Sequence, residues 1–192
     1  MKNHKIIDRK IAEIIKNNGV GVLPTDTLFG LVGSAFSKKA VAKIYKIKKR
    51  NPKSPCIILI SAIDDLEKFN IQLNENSKEF LQKNWPGKIS TVLPCSDKKF
   101  EYLHRGTKSL AFRFPNKSNL VNLIKKTGPL VAPSANPEKL EPAQNIVEAR
   151  KYFGDKVDFY ISGKTSKLHS TLVEIKNGKI KVLRKGAGKI KS

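Results

Sequence analysis

Apolar residues along the chain fall into two rhythms. In residues 8–18, Ile11, Ala12, Ile14 and Ile15 recur at helical spacing, and Gly19 follows as a stop. The next segment, "VGVLP", is a short unbroken apolar run and reads as a buried strand. Ser37 stands where it can cap a helix over "KKAVAKIYKIKKR", with Val41, Ile44, Tyr45 and Ile47 on the inner face. "CIILIS" is continuously apolar, as a strand covered on both faces is. Short helices are predicted near 62–69 and 77–84, followed by "WPG" and the strand "KISTVLP". Then come the strand "SLAFRF", a helix from about Ser118 to Lys126, the strand "PLVAP", a helix near 142–153 and "VDFYIS". "STLVEI" and "KIKVLR" form a closing hairpin across "KNGK", whose Asn177-Gly178 suits a tight primed turn. Strands and helices alternate without a long linker, repeat or low-complexity stretch. That predicts one α/β domain over residues 1–192 with a mixed sheet.

Composition narrows the picture. Hydrophobic content of 39% in 192 residues is enough for a real core. No run approaches the roughly 18 apolar residues of a membrane span. The N-terminal "MKNHKIIDRKIAEIIKNNG" lacks the uninterrupted apolar core of a signal peptide, so a cytoplasmic protein is expected. Cys56 and Cys95 lie in apolar, strand-like runs, where a free thiol acts as a small core residue. They make neither a disulfide framework nor a zinc site. His4, His104 and His169 are far apart and show no metal-ligand spacing, and no residue is assigned to a metal.

Charge adds a partner class. The formal net charge is +22, from 38 Lys and Arg against 16 Asp and Glu. Such an excess favours a polyanion, either nucleic acid or a phosphorylated small molecule. Most of it is Lys spread along the whole chain, so the patches must discriminate.

Four stretches place polar residues where strands end or loops begin, which is where α/β folds hold ligands. In "PTDTLFGL", Thr25, Asp26 and Thr27 offer donors and acceptors to a small ligand, although a strand-ending turn with an Asx-type bond explains them equally. In "YKIKKRNPKSP", Lys48, Lys49, Arg50 and Lys53 crowd the end of a helix. The helix dipole accounts for one or two cations; four suggest a phosphate clamp, with a solvated basic face as the alternative. In "SLAFRF", alternation puts Ser109, Ala111 and Arg113 on one face and Leu110, Phe112 and Phe114 on the other. In "PLVAPSANP", Pro133 is expected to end the strand ladder. Pro137 is expected to hold Asn136 extended, so that its amide stands out beside Ser134. A Walker A loop, a GxGxxG and a GxSxG are all absent, which argues against those nucleotide folds and against acyl-enzyme chemistry.

In order and spacing, "PTDTLFGL", "IYKIKKR…SP", "WPGKIS", "SLAFRFP", "PLVAPSAN", "STLVEI" and "VLRKGA" resemble the YrdC-like family, the threonylcarbamoyl-AMP synthases of the tRNA t6A pathway. The resemblance runs from about Gly19 to Gly188 and fits the short, single-domain form. It implies a twisted mixed β-sheet with helices packed around it and a large basic cavity. It also implies a reaction joining L-threonine, bicarbonate and ATP into threonylcarbamoyl-AMP with release of pyrophosphate, accompanied by Mg²⁺. A partner threonylcarbamoyl transferase machinery then acts on adenosine 37 of tRNA. Such chemistry needs positioning and charge stabilisation rather than a protein nucleophile.

Carried over by position, the resemblance places Thr27, Arg113, Ala132 and Ser170 around L-threonine, with Arg113 on its carboxylate. Lys48 and Arg50 would bind the ATP phosphates with help from Ser54 and Ser109. Ser134 and Asn136 would hold nucleotide and phosphate, with Pro142 and Arg184 along the nucleotide. Lys48, Arg50, Ser134 and Asn136 would form the catalytic group. The chain departs from the family pattern at Leu59, where longer members carry a threonine-contacting His. It departs also at Phe29, at Ser90, and at Pro137-Glu138 after the Ser-x-Asn. A competing reading is a module that binds tRNA or double-stranded RNA without nucleotidyl transfer, although aromatics are only 7%. A related carbamoyl-adenylate reaction is a third, and the absence of a fused carbamoyl-phosphate-processing domain argues against it.

Overall fold

In the computed structural model, the structure describes residues 2–176 and 178–191, with side chains from residue 9 onward. The expected Asn177 half of the closing turn and the side chain of His4 lie outside the described residues. Nine strands form one mixed sheet among the described residues, in the order β7-β1-β2-β6-β3-β5-β4-β8-β9. They are β1 (Gly21–Pro24), β2 (Phe29–Ser34), β3 (Ile57–Leu59), β4 (Ile89–Pro94), β5 (Ser109–Arg113), β6 (Leu130–Val131), β7 (Phe159–Tyr160), β8 (Thr171–Lys176) and β9 (Lys179–Arg184). Six helices accompany them: α1 (Lys2–Lys16), α2 (Lys38–Lys48), α3 (Glu75–Asn84), α4 (Glu101–His104), α5 (Ser118–Thr127) and α6 (Ile146–Phe153).

Strand alternation divides the core in two. Val22, Leu31, Ile58, Val131 and Phe112 belong to one apolar cluster, together with Val41 and Ile44 of α2. Their neighbours in sequence, Leu23, Val32, Leu59 and Leu130, belong to another, with Ile11 and Ile15 of α1 and Leu120, Leu123 and Ile124 of α5. Period-2 alternation therefore sends successive side chains into opposite layers. It also explains why these strands read as unbroken apolar runs. The two clusters are separate, so α1 and α5 cover only part of the second face. Ala111 and Arg113 of β5, Ile57 of β3 and Gly30 of β2 line a cavity on the uncovered part.

Ser37 caps α2 by accepting from the Ala40 N–H, as expected. Both cysteines are free and buried. Several expectations shift. The stretch after "VGVLP" folds back as β2, antiparallel to β1 and joined to it by the Thr25–Leu28 turn. Its two glycines weaken the strand pattern, and Gly33 lies close under α2: a Cβ there would sit 3.2–3.3 Å from Ala40, Ile44 and Val20. Residues Ile63–Phe69 form a 3-10 helix. The helix expected near 142–153 starts only at Ile146, because the Asn145 side chain caps it by accepting from the Glu148 N–H. Pro133 does not end the pairing of its segment: Leu31 N–H donates to Pro133 O, and Ala135 N–H donates to Phe29 O. A proline withholds a donor and still accepts, so β2 grips the chain on both sides of it.

Candidate functional site

The cavity encloses about 190 Å³ between the β1–β2 turn, the middle of β5, the Ser134 segment and the start of β8. Thr25, Thr27, Arg50, Ala111, Arg113, Ala132, Ser134, His169, Ser170 and Arg184 are among its lining residues. Sequence reasoning named eight of these ten as Thr25, Thr27, Arg50, Arg113, Ala132, Ser134, Ser170 and Arg184. Ala111 it placed only on the same strand face as Arg113. His169 was read only as an isolated histidine; its place one residue before Ser170 was the available signal.

Arg113 forms the floor. Its side chain is buried, and its Nη1 donates to Thr27 Oγ1 at 2.8 Å while Nη2 reaches Thr25 Oγ1 at 3.4 Å. Nη2 also pairs with the buried Asp26 Oδ1 at 3.3 Å. Burial pushes the Arg113 pKa down, Asp26 opposes that, and Arg184 adds to it. The turn that presents Asp26 is tightly held. Thr25 Oγ1 donates to Leu28 O, Asn116 N–H donates to Asp26 Oδ2, and Lys117 Nζ donates to Thr25 O. Even so, Arg113 Nε and Asp26 Oδ1 have no hydrogen-bond partner. Buried polar atoms are rarely left so.

The opposite wall is the start of β8. Ser170 Oγ lies 2.8 Å from Ser90 Oγ, so the departure at Ser90 keeps a hydroxyl that positions Ser170. Arg184 Nη2 donates to Ser170 O at 3.0 Å, and burial lowers the Arg184 pKa. The segment after β9 runs close behind: Ala187 N–H donates to His169 O, and Thr171 Oγ1 donates to Gly188 O. A Cβ on Gly186 would meet His169 O at 2.4 Å, so only glycine permits this approach. At the departure from the longer members, Leu59 packs into the second apolar cluster.

The third wall corrects the expected phosphate clamp. Lys48 is buried, and its Nζ donates to Ser134 O and Asn136 O at 2.8 Å and to Asn136 Oδ1 at 3.0 Å. Desolvation, helped by the nearby Arg50 charge, lowers its pKa to about 8. Asn136 does not hold its amide out into the cavity. Its Oδ1 accepts from Lys48 and Ser134 Oγ, and its Nδ2 donates to Pro137 O and Leu140 O. Local carbonyls saturate the amide, because the chain curls back over it through Leu140. Glu138, part of the unfamiliar Pro-Glu, has a role as well: its N–H donates to Lys48 O and its carboxylate accepts from Asn51 N–H at 2.6 Å. It ties the end of α2 to the Ser134–Leu140 loop.

Of the four clustered cations, only Arg50 lines the cavity, its Nε and Nη2 donating to Ser54 O and Pro55 O. Lys49 ends α2 in the left-handed region and is exposed, as is Lys53. Ser54 serves through its carbonyl. Pro142 accepts from the Gln144 side chain and is not among the cavity-lining residues. Ser109 lies at the far end of β5, paired with Pro94 and bonded to Thr107 Oγ1, away from the cavity. Alternation put it on Arg113's face, but four residues of strand separate them by roughly 13 Å.

Fold and site together define an α/β protein with a small, arginine-lined cavity on one face of a nine-stranded sheet, suited to an anionic ligand. Residues 13–186 match the Sua5/YciO/YrdC family, described as "Telomere recombination", and the chain belongs to that family. It is 33% identical over 147 residues to a Bacillus subtilis protein named threonylcarbamoyl-AMP synthase, covering 72% of this chain and 42% of that one. It is 29% identical to a Cellvibrio japonicus protein of the same name, covering 79% and 81%. The P. abyssi Sua5 structure in complex with L-threonine superposes with a TM-score of 0.87 at 27% identity, covering 93% of this chain and 54% of that one. The chain therefore spans about half or less of two of these relatives and most of the third. No helix among the described residues is long and apolar enough to cross a membrane.

Proposed function

We propose that this chain is an L-threonylcarbamoyladenylate synthase, a nucleotidyltransferase that makes threonylcarbamoyl-AMP and pyrophosphate from L-threonine, bicarbonate and ATP. The observation that carries the reading is the buried Arg113, braced by Thr25, Asp26 and Thr27 at the floor of a cavity sized for an amino acid. Its guanidinium lines the cavity, and such a fork binds a carboxylate through two parallel bonds. About 190 Å³ lies below the roughly 300–1,000 Å³ of pockets for drug-sized ligands. An amino acid fills it, and a nucleotide extends along the mouth past Arg50, Ser134 and Arg184.

The reaction follows from these placements. The threonine amine forms an N–C bond to the bicarbonate carbon, and water leaves. A carbamate oxygen then attacks the α-phosphorus of ATP, and pyrophosphate departs with the bonding pair. Arg50 and Arg184 stabilise charge on the transferring group, and the fixed geometry supplies most of the acceleration. Lys48 and Asn136 act from behind, by holding Ser134 in place. The residues do not fit a resident Mg²⁺, since no carboxylate lines the cavity and Asp26 faces Arg113. Any such ion belongs with the ATP phosphates. The product is a substrate for a tRNA-modifying threonylcarbamoyl transferase machinery, and tRNA contact through the +22 surface belongs to the same proposal. Incubation with all three substrates should release pyrophosphate. Release that persists without L-threonine overturns the reading.

A further inference from the structure

Carbamate formation has a proton to dispose of. Free threonine carries its amine mainly as the ammonium near neutral pH, and only the neutral amine attacks carbon. Among the described cavity-lining residues, the candidates for accepting that proton are few. No carboxylate is among them, and the three arginines stay protonated. Lys48, beneath the wall, already directs its ammonium at three oxygens of the Ser134–Asn136 turn. Asp26 is buried against Arg113 and bonded to the Asn116 N–H. His169 remains, the one imidazole lining the cavity.

We propose that His169 accepts the proton from the α-amino group of L-threonine as the carbamate forms. This rests on the synthase reading above. The backbone fixes the residue: His169 O accepts from Ala187 N–H at 2.8 Å, and the adjoining Ser170 is held by Ser90 and Arg184. The backbone is thereby anchored one residue from a side chain on the cavity wall. His169 is also exposed enough to return the proton to water.

Its surroundings suit the task. Arg184 and Lys48 act on it as cations, Arg50 lines the same cavity, and Glu141 is the opposing acid. Desolvation, then Arg184 and Lys48, lower its pKa below the usual 6.5, and Glu141 opposes them only in part. The imidazole is thus neutral, with a free lone pair, at neutral pH. The step balances: the ammonium gives its proton to the ring nitrogen, the freed amine bonds to the bicarbonate carbon, water leaves, and the imidazolium releases the proton to solvent.

The test is the pH dependence of threonine-dependent pyrophosphate release in wild type and H169Q, with L-threonine affinity measured separately by calorimetry. Wild-type activity should fall only as pH drops below the ordinary imidazole value of 6.5, because the His169 pKa is lowered from it. H169Q should lose about 10²-fold at pH 7, within the usual range for a general base. It should recover toward wild type near pH 9–10, where threonine is itself a free amine, while binding L-threonine within about twofold of wild type. A loss in H169Q that is uniform across pH, no loss, or a matching loss of threonine affinity overturns the proposal. Wild type that releases no pyrophosphate in response to threonine overturns the synthase reading itself.

Discussion

The Thr25–Thr27 turn and the Ser134–Asn136 turn look alike on paper: each is a short polar stretch beside an apolar strand, and each touches the same cavity. They differ in how their hydrogen-bonding capacity is used. Around Ser134 and Asn136 the side-chain oxygens and the amide are engaged by Lys48, by each other or by the carbonyls of Pro137 and Leu140. Around Thr25–Thr27 the bracing stops short: Arg113 Nε is buried without a hydrogen-bond partner, and Asp26 Oδ1 has only the 3.3 Å ion pair with Arg113 Nη2. A saturated network makes a rigid wall, whereas Arg113 lines the cavity with its own network incomplete. On the proposed reading the Ser134–Asn136 turn serves as framework and the Thr25–Thr27 turn, with Arg113, as binding surface, despite similar composition.

The strongest challenge to this contrast is Arg113→Met. It should cut kcat/KM for L-threonine by at least about 10²-fold, since charged hydrogen bonds contribute roughly 1.5–3 kcal/mol each. It should also destabilise the fold by about 3–5 kcal/mol by leaving Asp26 uncompensated. Adding Asp26→Asn should restore much of that stability without restoring threonine use, as urea unfolding and the pyrophosphate assay would register separately. Next in size is the cycle Lys48→Met, Asn136→Leu and their combination. Each single change should destabilise by about 2–4 kcal/mol, with a coupling of about 1–3 kcal/mol. Additivity within about 0.5 kcal/mol would mean that Lys48 is not the framework's anchor.

A pH measurement sharpens the same point. The folded Lys48 pKa is about 8, below the ordinary 10.5, so above pH 8 the unfolded chain holds a proton that the folded chain releases. Its contribution is fully present above 10.5 and is lost as pH falls through about 8. Wild-type stability should therefore rise relative to Lys48→Met across this window, by up to about 2–3 kcal/mol. A flat difference would show Lys48 to be better solvated than its partners imply. Smallest is Ser109→Ala, which should leave stability within about 0.5 kcal/mol and the kinetics unchanged. A clear rise in KM for ATP would return that serine to the site.

Much of the architecture was legible because its causes are local. Ser37 caps α2 through a bond three residues away, and Ile11 and Ile15 bury one face of α1. The same alternation that makes a strand placed Arg113 opposite Phe112. β2 escaped notice because two of its six residues, Gly30 and Gly33, are glycines that interrupt the apolar pattern. His169 escaped because nothing near it in sequence says that Arg184 and Lys48 will face it.

Asn136 marks the boundary. The sequence by itself determined the alternating strands and helices, the two-layer core and the short polar stretches at strand ends, since these depend on periodicity, caps and backbone limits within a few residues. Only the tertiary structure decided which polar groups face the cavity and which are bound within the wall. Lys48 and Asn136 are 88 residues apart, Arg113 and Thr27 86, and Ser90 and Ser170 80. A side chain's free valence is what remains after such distant partners have engaged it, and local pattern carries no record of them.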